Sequence, residues 1–204
     1  MVDFGMRYKK IAAAAVCLII VSSLLSGCAD KNKGEIPASP YSGRETADLS
    51  GYSSMSGSGI ESRLVDTTVA EIDQLMKDKE SFVFLAAYED CQYCDLLMPY
   101  LNDALADKGT YAGYLDTRKD PSWSSNTDID DYDLFCKRFG RYLEKDESGN
   151  LHLYTPDIYV IKKGRVVAEY QGVVEGADDP ENALTSAQEK ELRETLDGLL
   201  SKLK

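Results

Sequence analysis

The sequence predicts a three-layer α/β fold, in which helices flank a mixed sheet of about five strands. Segments with the apolar patterns of strands and helices alternate between residues 60 and 204, in the order β-α-β-α-β-α-β-β-α. The last two strands follow each other across the turn dipeptide Lys163-Gly164, which indicates a hairpin. This stretch is long enough for one domain with its own hydrophobic core.

The first four predicted elements lead to a pair of cysteines. A short strand is expected at 62–65, and a helix follows to about residue 79 because Thr68 and Glu71 have capping-box spacing. The continuous apolar run 82–88 predicts a buried strand. The next helix is expected from Cys91 to about residue 105, so Cys91-Gln92-Tyr93-Cys94 stands where it begins.

The remaining elements complete the sheet and cover it. A strand is predicted at 111–115, a helix at 131–141, and two strands at 157–161 and 165–170. Ser186 and Glu189 again have capping-box spacing and open a terminal amphipathic helix. Its inward residues are Leu192, Leu196, Leu199, Leu200 and Leu203. The polar segments 120–131 and 144–150 are expected to be loops.

Residues 1–27 have the pattern of an export signal. Basic residues precede the apolar stretch 11–25, which leads into Leu25-Ser26-Gly27-Cys28. The stretch is shorter than the roughly 18 residues of a membrane-spanning helix, although an uncleaved signal anchor is the alternative. Its ending resembles the bacterial lipobox, and this resemblance implies a lipoprotein signal peptide, cleaved before Cys28, with a diacylglycerol on that cysteine. The chain is therefore expected to be exported and lipid-anchored on the outer side of the cell membrane.

Residues 28–59 are predicted to be the lipidated N-terminus and a flexible linker. They hold many serines, scattered Gly and Pro, and few large aliphatic side chains. Such a composition does not favour a core of its own. The predicted boundary of the folded domain is therefore residue 60.

The formal net charge of −12 limits the partners of the protein. Residues 1–27 contribute +2, so the part beyond them carries −14. This charge argues against nucleic acid and against anionic lipid as partners. We expect a monomer.

Cys91 and Cys94 are the strongest candidates for chemistry. The partial positive charge of a helix N-terminus favours a thiolate over a thiol, and two cysteines at this spacing can close into a small disulfide. The pattern indicates dithiol–disulfide chemistry, with an exposed Cys91 as the attacking sulfur and Cys94 as the resolving thiol. A static disulfide is less favoured, because small loops gain least from closure. Zinc needs about four ligands, but His152 is the one histidine and the sequence has no second Cys-x-x-Cys, so no zinc site is expected. No other cofactor is expected either.

Other polar and sulfur-containing residues have simpler interpretations. Cys136 is expected to be a small buried apolar residue, although its interpretation as a third redox thiol stays open. Residues 126–131 lack the glycine and the closing glutamate of an EF-hand loop, so helix capping and a solvated loop explain them better. Trp123 could contact a partner or pack over the edge of the sheet.

Several features together resemble the thioredoxin superfamily over about residues 60–204. The Cys-x-x-Cys follows the second strand, Pro99 stands five residues after Cys94, and Thr155-Pro156 precedes the hairpin. Gly164 and Gly172 lie eight and sixteen residues beyond Pro156, and a terminal helix closes the sheet. Within the superfamily the chain is most similar to bacteriocin transport accessory proteins. That similarity rests on Thr67-Thr68, Ser81-Phe82-Val83, Cys-x-Tyr-Cys, Leu115-Asp116-Thr117 and Thr155-Pro156.

The resemblance implies a substrate-binding surface around Cys91. A cis bond before Pro156 would place the backbone of Thr155 beside Cys91, where an extended substrate segment could pair as an added strand. Tyr93 and Tyr88 would line the surrounding apolar surface.

The chain also departs from the thioredoxin pattern near the cysteines. Leu85 stands where thioredoxins hold a buried acid six residues before the first cysteine, and Gln92-Tyr93 replaces Gly-Pro. Asp90 replaces the preceding tryptophan, and together with Glu89 it opposes thiolate formation by like charge.

The sequence leaves functions of two classes open. One is a membrane-tethered, extracytoplasmic thiol–disulfide oxidoreductase that acts on protein or peptide disulfides, with a membrane protein as a candidate redox partner. Haem attachment to exported cytochromes would be one task for such a reductase, but no residue singles it out. The other class is a non-catalytic module that holds a secreted, bacteriocin-type peptide or a membrane partner.

Overall fold

The structure is a computed structural model and describes residues 35–57, 59–118, 129–177, 179–180 and 182–204. The strands within these ranges are β1 Leu64–Asp66, β2 Phe82–Ala87, β3 Ala112–Asp116, β4 Glu144–Lys145, β5 Leu151–His152, β6 Asp157–Lys162 and β7 Arg165–Gln171. The helices are α1 Val69–Lys77, α2 Gln92–Asp107, α3 Ile129–Phe139 and α4 Ser186–Leu200, which continues into a 3-10 turn at Ser201–Leu203.

Five of the strands form one mixed sheet in the order β1-β3-β2-β6-β7. The central strand β2 pairs in parallel with β3 and antiparallel with β6, and β6 and β7 form the predicted hairpin. The hairpin turn requires a glycine, because Gly164 has a φ of +72° and a Cβ there would lie 2.1 Å from the Met76 carbonyl oxygen. The predicted α/β architecture with a mixed five-stranded sheet is confirmed.

Helices cover both faces of this sheet, which explains why β2 is buried along its whole length. Helices α2 and α4 pack over the face that carries Leu85 and Ile158. Helices α1 and α3 pack over the opposite face, where the Phe84 ring stacks on Tyr159 with 4.9 Å between centroids. Alternate residues of β2 and β6 therefore belong to two separate cores.

The segment predicted as a flexible linker is folded where the structure describes it, so this prediction is corrected for residues 36–57. Tyr41 and Tyr52 are fully buried, and the Tyr52 hydroxyl lies 2.8 Å from the hydroxyl of Tyr114 in β3. The Ala47 N–H donates to the Leu64 carbonyl at 2.8 Å. Widely spaced apolar side chains enter the two cores from a chain otherwise rich in Ser and Gly. The folded unit therefore begins near Ile36 and not at residue 60.

Two smaller expectations are also corrected. The cap of α4 is one residue earlier than predicted, since the Thr185 side chain and Gln188 form the reciprocal capping box. The polar segment 144–150, predicted as a loop, contributes to a two-stranded antiparallel hairpin of β4 and β5.

Several predictions fall outside the described residues. They concern the signal peptide, Cys28, Trp123 and residues 126–128 of the acidic segment. Among the residues that the structure describes, no helix is long and apolar enough to cross a membrane.

Candidate functional site

Cys91 and Cys94 form a disulfide at the start of α2, with their Cα atoms 5.1 Å apart. The turn after β2 delivers Cys91 to this position, where the Cys91 N–H donates to the Tyr88 carbonyl at 3.2 Å. Cys91 is the N-cap residue of α2, and Cys94 lies in its first turn. The strand–turn–helix context predicted from sequence therefore places both sulfurs at the positive end of a helix.

Two donors surround the Cys91 sulfur. The Cys94 N–H points at Cys91 Sγ from 3.2 Å, in the position of an N-cap hydrogen bond. The Thr155 hydroxyl lies 3.7 Å from the same sulfur. In the reduced protein these groups can donate to a Cys91 thiolate, and hydrogen bonds to the charged form of a group stabilise that form.

The sequence predicted an exposed Cys91, whereas the structure leaves it only 6% exposed and Cys94 fully buried. The difference arises because the apolar core below α2 includes both cysteines. Of the two, Cys91 alone keeps a solvent-accessible edge. Cys91 is thus more accessible to solvent than Cys94, as an attacking Cys91 and a resolving Cys94 require.

The Thr155–Pro156 peptide bond is cis and lies beside the disulfide. It places the Thr155 carbonyl oxygen 3.7 Å from Cys91 Sγ. Pro156 itself is buried, and its carbonyl accepts a hydrogen bond from the Gly172 N–H at 2.8 Å. The structure thus brings together Cys91, Cys94, Thr155 and Pro156, which are separated by about 60 positions in the sequence.

A groove with a volume of about 410 Å³ opens next to Thr155. Tyr93 and the half-exposed Tyr154 line one part of it, and Val173 and Val174 line another. Glu144 of β4 is the charged residue at its wall. The groove therefore combines apolar and aromatic side chains with a few polar groups, and Thr155 connects it to the Cys91 sulfur.

Tyr88, which the sequence placed in the same surface, has a different environment. Its ring lies under the guanidinium of Arg118, 3.7 Å from the ring centroid. Arg118 also forms an exposed ion pair with Asp90 at 3.4 Å. Part of the negative charge that was expected to oppose a thiolate is therefore balanced by an arginine that the sequence did not indicate.

A buried carboxyl group near the site was not predicted. Asp157 directly follows Pro156, is fully buried, and neither of its carboxyl oxygens has a hydrogen-bond partner among the described residues. Burial raises the pKa of Asp157 to about 8, and the negative charge of Glu169 acts in the same direction.

Asp157 does not occupy the place of the missing thioredoxin acid. Side chains alternate along a strand, so Asp157 shares the sheet face of Tyr159, which belongs to the core under α1 and α3. Leu85 and Cys94 belong to the opposite core. The group beneath the cysteines is therefore apolar, and the buried acid lies across the sheet from them.

Cys136 and His152 lie apart from the disulfide. Cys136 in α3 is a free thiol of intermediate burial next to the other core, where burial raises its thiol pKa. It is less buried than predicted. His152 in β5 packs against the ring of Tyr154, with 4.4 Å between ring centroids.

The strand order, the cis-proline loop and the disulfide at the start of α2 together define the fold. The fold is thioredoxin-like. No protein-family model matches the chain, and no curated protein matches it.

Solved structures of thioredoxin-fold proteins are similar to the chain at low identity. One is described as a proposed oxidoreductase with a thioredoxin fold, with 14% identity and a TM-score of 0.40 over 62% of this chain and 93% of that chain. Another is a mutant thioredoxin from Halobacterium salinarum NRC-1, with 13% identity and a TM-score of 0.39 over 70% and 96%. Oxidised mitochondrial thioredoxin 3 from Saccharomyces cerevisiae has 14% identity and a TM-score of 0.34 over 64% and 94%.

Proposed function

We propose that the protein is a thiol–disulfide oxidoreductase that acts on protein or peptide substrates through Cys91 and Cys94. The observation that supports this most is the position of the disulfide, at a helix N-terminus and beside the cis Thr155–Pro156 bond. A static cross-link of two residues in one helical turn would add little to stability, because its loop is so short. The donors around Cys91 Sγ instead favour a reduced, anionic sulfur.

The reaction consists of two thiol–disulfide exchanges. In the reduced protein the Cys91 thiolate attacks one sulfur of a substrate disulfide, which forms a mixed disulfide and releases the other substrate sulfur as a thiolate. Cys94 then attacks Cys91 Sγ, which closes the Cys91–Cys94 disulfide and releases the second substrate sulfur. Two electrons have passed to the substrate, and an external dithiol must then supply two electrons to reduce the Cys91–Cys94 disulfide again. Run in reverse, the same steps oxidise a substrate dithiol.

We propose that the groove beside Thr155 receives the substrate segment. Tyr93 supplies apolar contact area, and the backbone of Thr155 offers polar groups next to the reacting sulfur. Pro156 acts by positioning Thr155 rather than by direct contact, since it is buried.

The location and substrate are further parts of the proposal. The lipobox-like ending at Cys28 supports an anchor on the outer side of the bacterial cell membrane, where a membrane redox partner could supply electrons. The similarity to bacteriocin transport accessory proteins supports a secreted peptide as substrate.

Turnover of a disulfide-bonded peptide with dithiothreitol as reductant tests the proposed reaction. We expect the wild type to accelerate peptide reduction and Cys91→Ser to fall to the rate of the reductant alone, because the attacking sulfur is gone. Cys136→Ser is the matched control and should retain the wild-type rate. Equal rates for wild type and Cys91→Ser would contradict the proposal. If the groove then still bound the peptide, the protein would be a non-catalytic binding module.

A further inference from the structure

Two serines from the N-terminal segment contact the first turn of the redox helix. The Ser53 hydroxyl donates to Asp95 Oδ2, and the Ser54 N–H donates to Asp95 Oδ1 at 2.9 Å. The Ser54 hydroxyl donates to the backbone carbonyl of Asp95 at 2.7 Å. Asp95 directly follows Cys94 in α2. We call Ser53, Ser54 and their contacts with Asp95 the serine clasp.

Pro99 explains why the Asp95 carbonyl is available to the clasp. In an α-helix this carbonyl would accept a hydrogen bond from the N–H four residues later, but that residue is Pro99 and has no N–H. Ser54 supplies the missing donor. The clasp therefore satisfies a backbone group that the helix itself leaves without a partner.

The segment that bears the serines is fixed on both sides of the clasp. Tyr52 and Met55 are buried in the core that also contains Cys91 and Cys94. Gly51 packs so closely on the Glu89 side chain that a Cβ there would lie 2.1 Å from the Glu89 carboxyl carbon. Because these anchors hold the backbone, Ser53 and Ser54 meet Asp95 in a defined geometry.

The clasp has an electrostatic consequence for the disulfide pair. A carboxylate in the first turn of α2 opposes a thiolate on Cys91 by like charge. Hydrogen-bond donors aimed at that carboxylate offset part of its field. Partial burial acts to raise the pKa of Asp95, but the hydrogen bonds from Ser53 and Ser54 outweigh it and hold the pKa below its usual value.

We propose that the serine clasp is a positioning element of the redox site, which holds the Asp95 carboxylate and limits its opposition to a Cys91 thiolate. The inference rests on the proposed function in assigning a reaction to the pair. The clasp thereby makes Ser53 and Ser54 part of the machinery that sets the balance between dithiol and disulfide.

The test is the equilibrium of the Cys91–Cys94 couple with reduced and oxidised glutathione, measured on the full chain. We expect Ser53→Ala to shift the equilibrium constant about threefold toward the disulfide, which corresponds to about 14 mV. Asp95→Asn should shift it toward the dithiol. In the Asp95→Asn background, Ser53→Ala should change it by less than about 1.5-fold, because the charge that the serine offsets is absent.

Two further variants separate this role from a loss of local structure. Ser53→Thr keeps the hydroxyl and should retain the wild-type equilibrium. Ser56→Ala, in the same segment and exposed, is the matched control and should also retain it. As an independent reading, the pH midpoint of Cys91 alkylation by iodoacetamide should rise in Ser53→Ala.

An unchanged equilibrium in Ser53→Ala would overturn the inference. The inference would also be overturned if Ser53→Ala shifted the equilibrium constant equally in the wild type and in the Asp95→Asn background, because a merely structural contact would act the same in both. Peptide turnover is measured separately. If the wild type does not turn over the peptide, the proposed function is wrong. The effect of the clasp can still be measured, because the glutathione equilibrium of the Cys91–Cys94 couple does not depend on peptide turnover.

Discussion

Replacing Asp157 with Asn is expected to raise the free energy of unfolding at pH 7 by about 4 kcal/mol. Asp157 is fully buried, and its pKa of about 8 lies well above the 3.8 that is usual for an aspartate side chain. Below about pH 3 the carboxyl is protonated in both the folded and the unfolded chain. Between pH 4 and 8 the folded chain retains a proton that the unfolded chain has released, so stability falls as the pH rises.

The variant removes this dependence, because an asparagine is neutral at every pH. The two proteins should have similar free energies of unfolding at about pH 4. The difference between these free energies should then grow by about 1.4 kcal/mol per pH unit until about pH 8. Denaturant unfolding at a series of pH values measures this difference. Asp107→Asn, at an exposed position near the end of α2, is the matched control, since it removes no buried charge. If the free energy of unfolding changed with pH in the same way for the wild type and for Asp157→Asn, the raised pKa of Asp157 would be contradicted.

Tyr41→Ala is expected to destabilise the domain by about 3–5 kcal/mol, the usual cost of truncating a buried aromatic side chain. Tyr41 is fully buried, and its ring packs edge-to-face on Phe82 of the central strand with 6.0 Å between centroids. Its hydroxyl also lies close over Gly113, where a Cβ would be 2.6 Å from the Tyr41 oxygen. The segment before residue 60 therefore contributes to the core and is more than a tether.

Denaturant unfolding of the oxidised protein measures this effect. Tyr154→Ala provides the comparison, because Tyr154 is 43% exposed and its truncation should therefore lower the free energy of unfolding clearly less than Tyr41→Ala. A Tyr41→Ala variant as stable as Tyr154→Ala would show that the N-terminal segment is a tether that does not contribute to the core.

The sequence predicted those features that depend on local pattern. The apolar run of β2, the turn and the cysteine pair at the start of α2 lie within a few residues of one another, so strand, helix and chemistry could be inferred together. The place of Thr155–Pro156 in the loop before the hairpin could also be predicted, because the sequence spacing from Pro156 to the two hairpin glycines indicates it.

The features that were missed depend on contacts between distant residues. Tyr41 and Tyr52 stand singly among serines and glycines, so composition over the segment concealed their burial. Asp157 begins a strand, where an acid is ordinarily solvated, and only the packing of the sheet and its helices buries it. The Ser54–Asp95 contact spans 41 positions. Pro99 was a signal for it, since a proline inside a helix leaves one carbonyl in need of a donor.

The central claim is that Cys91 attacks and Cys94 resolves, and trapping of the mixed disulfide tests it most directly. Reduced Cys94→Ser protein, incubated with a disulfide-bonded peptide, should accumulate a covalent adduct through Cys91, because the sulfur that would release the peptide is absent. Cys91→Ser should form little adduct, since Cys94 is fully buried. Mass spectrometry of the two variants identifies the linked cysteine. An adduct through Cys94 that forms as fast as the one through Cys91, or no adduct in either variant, would contradict the account.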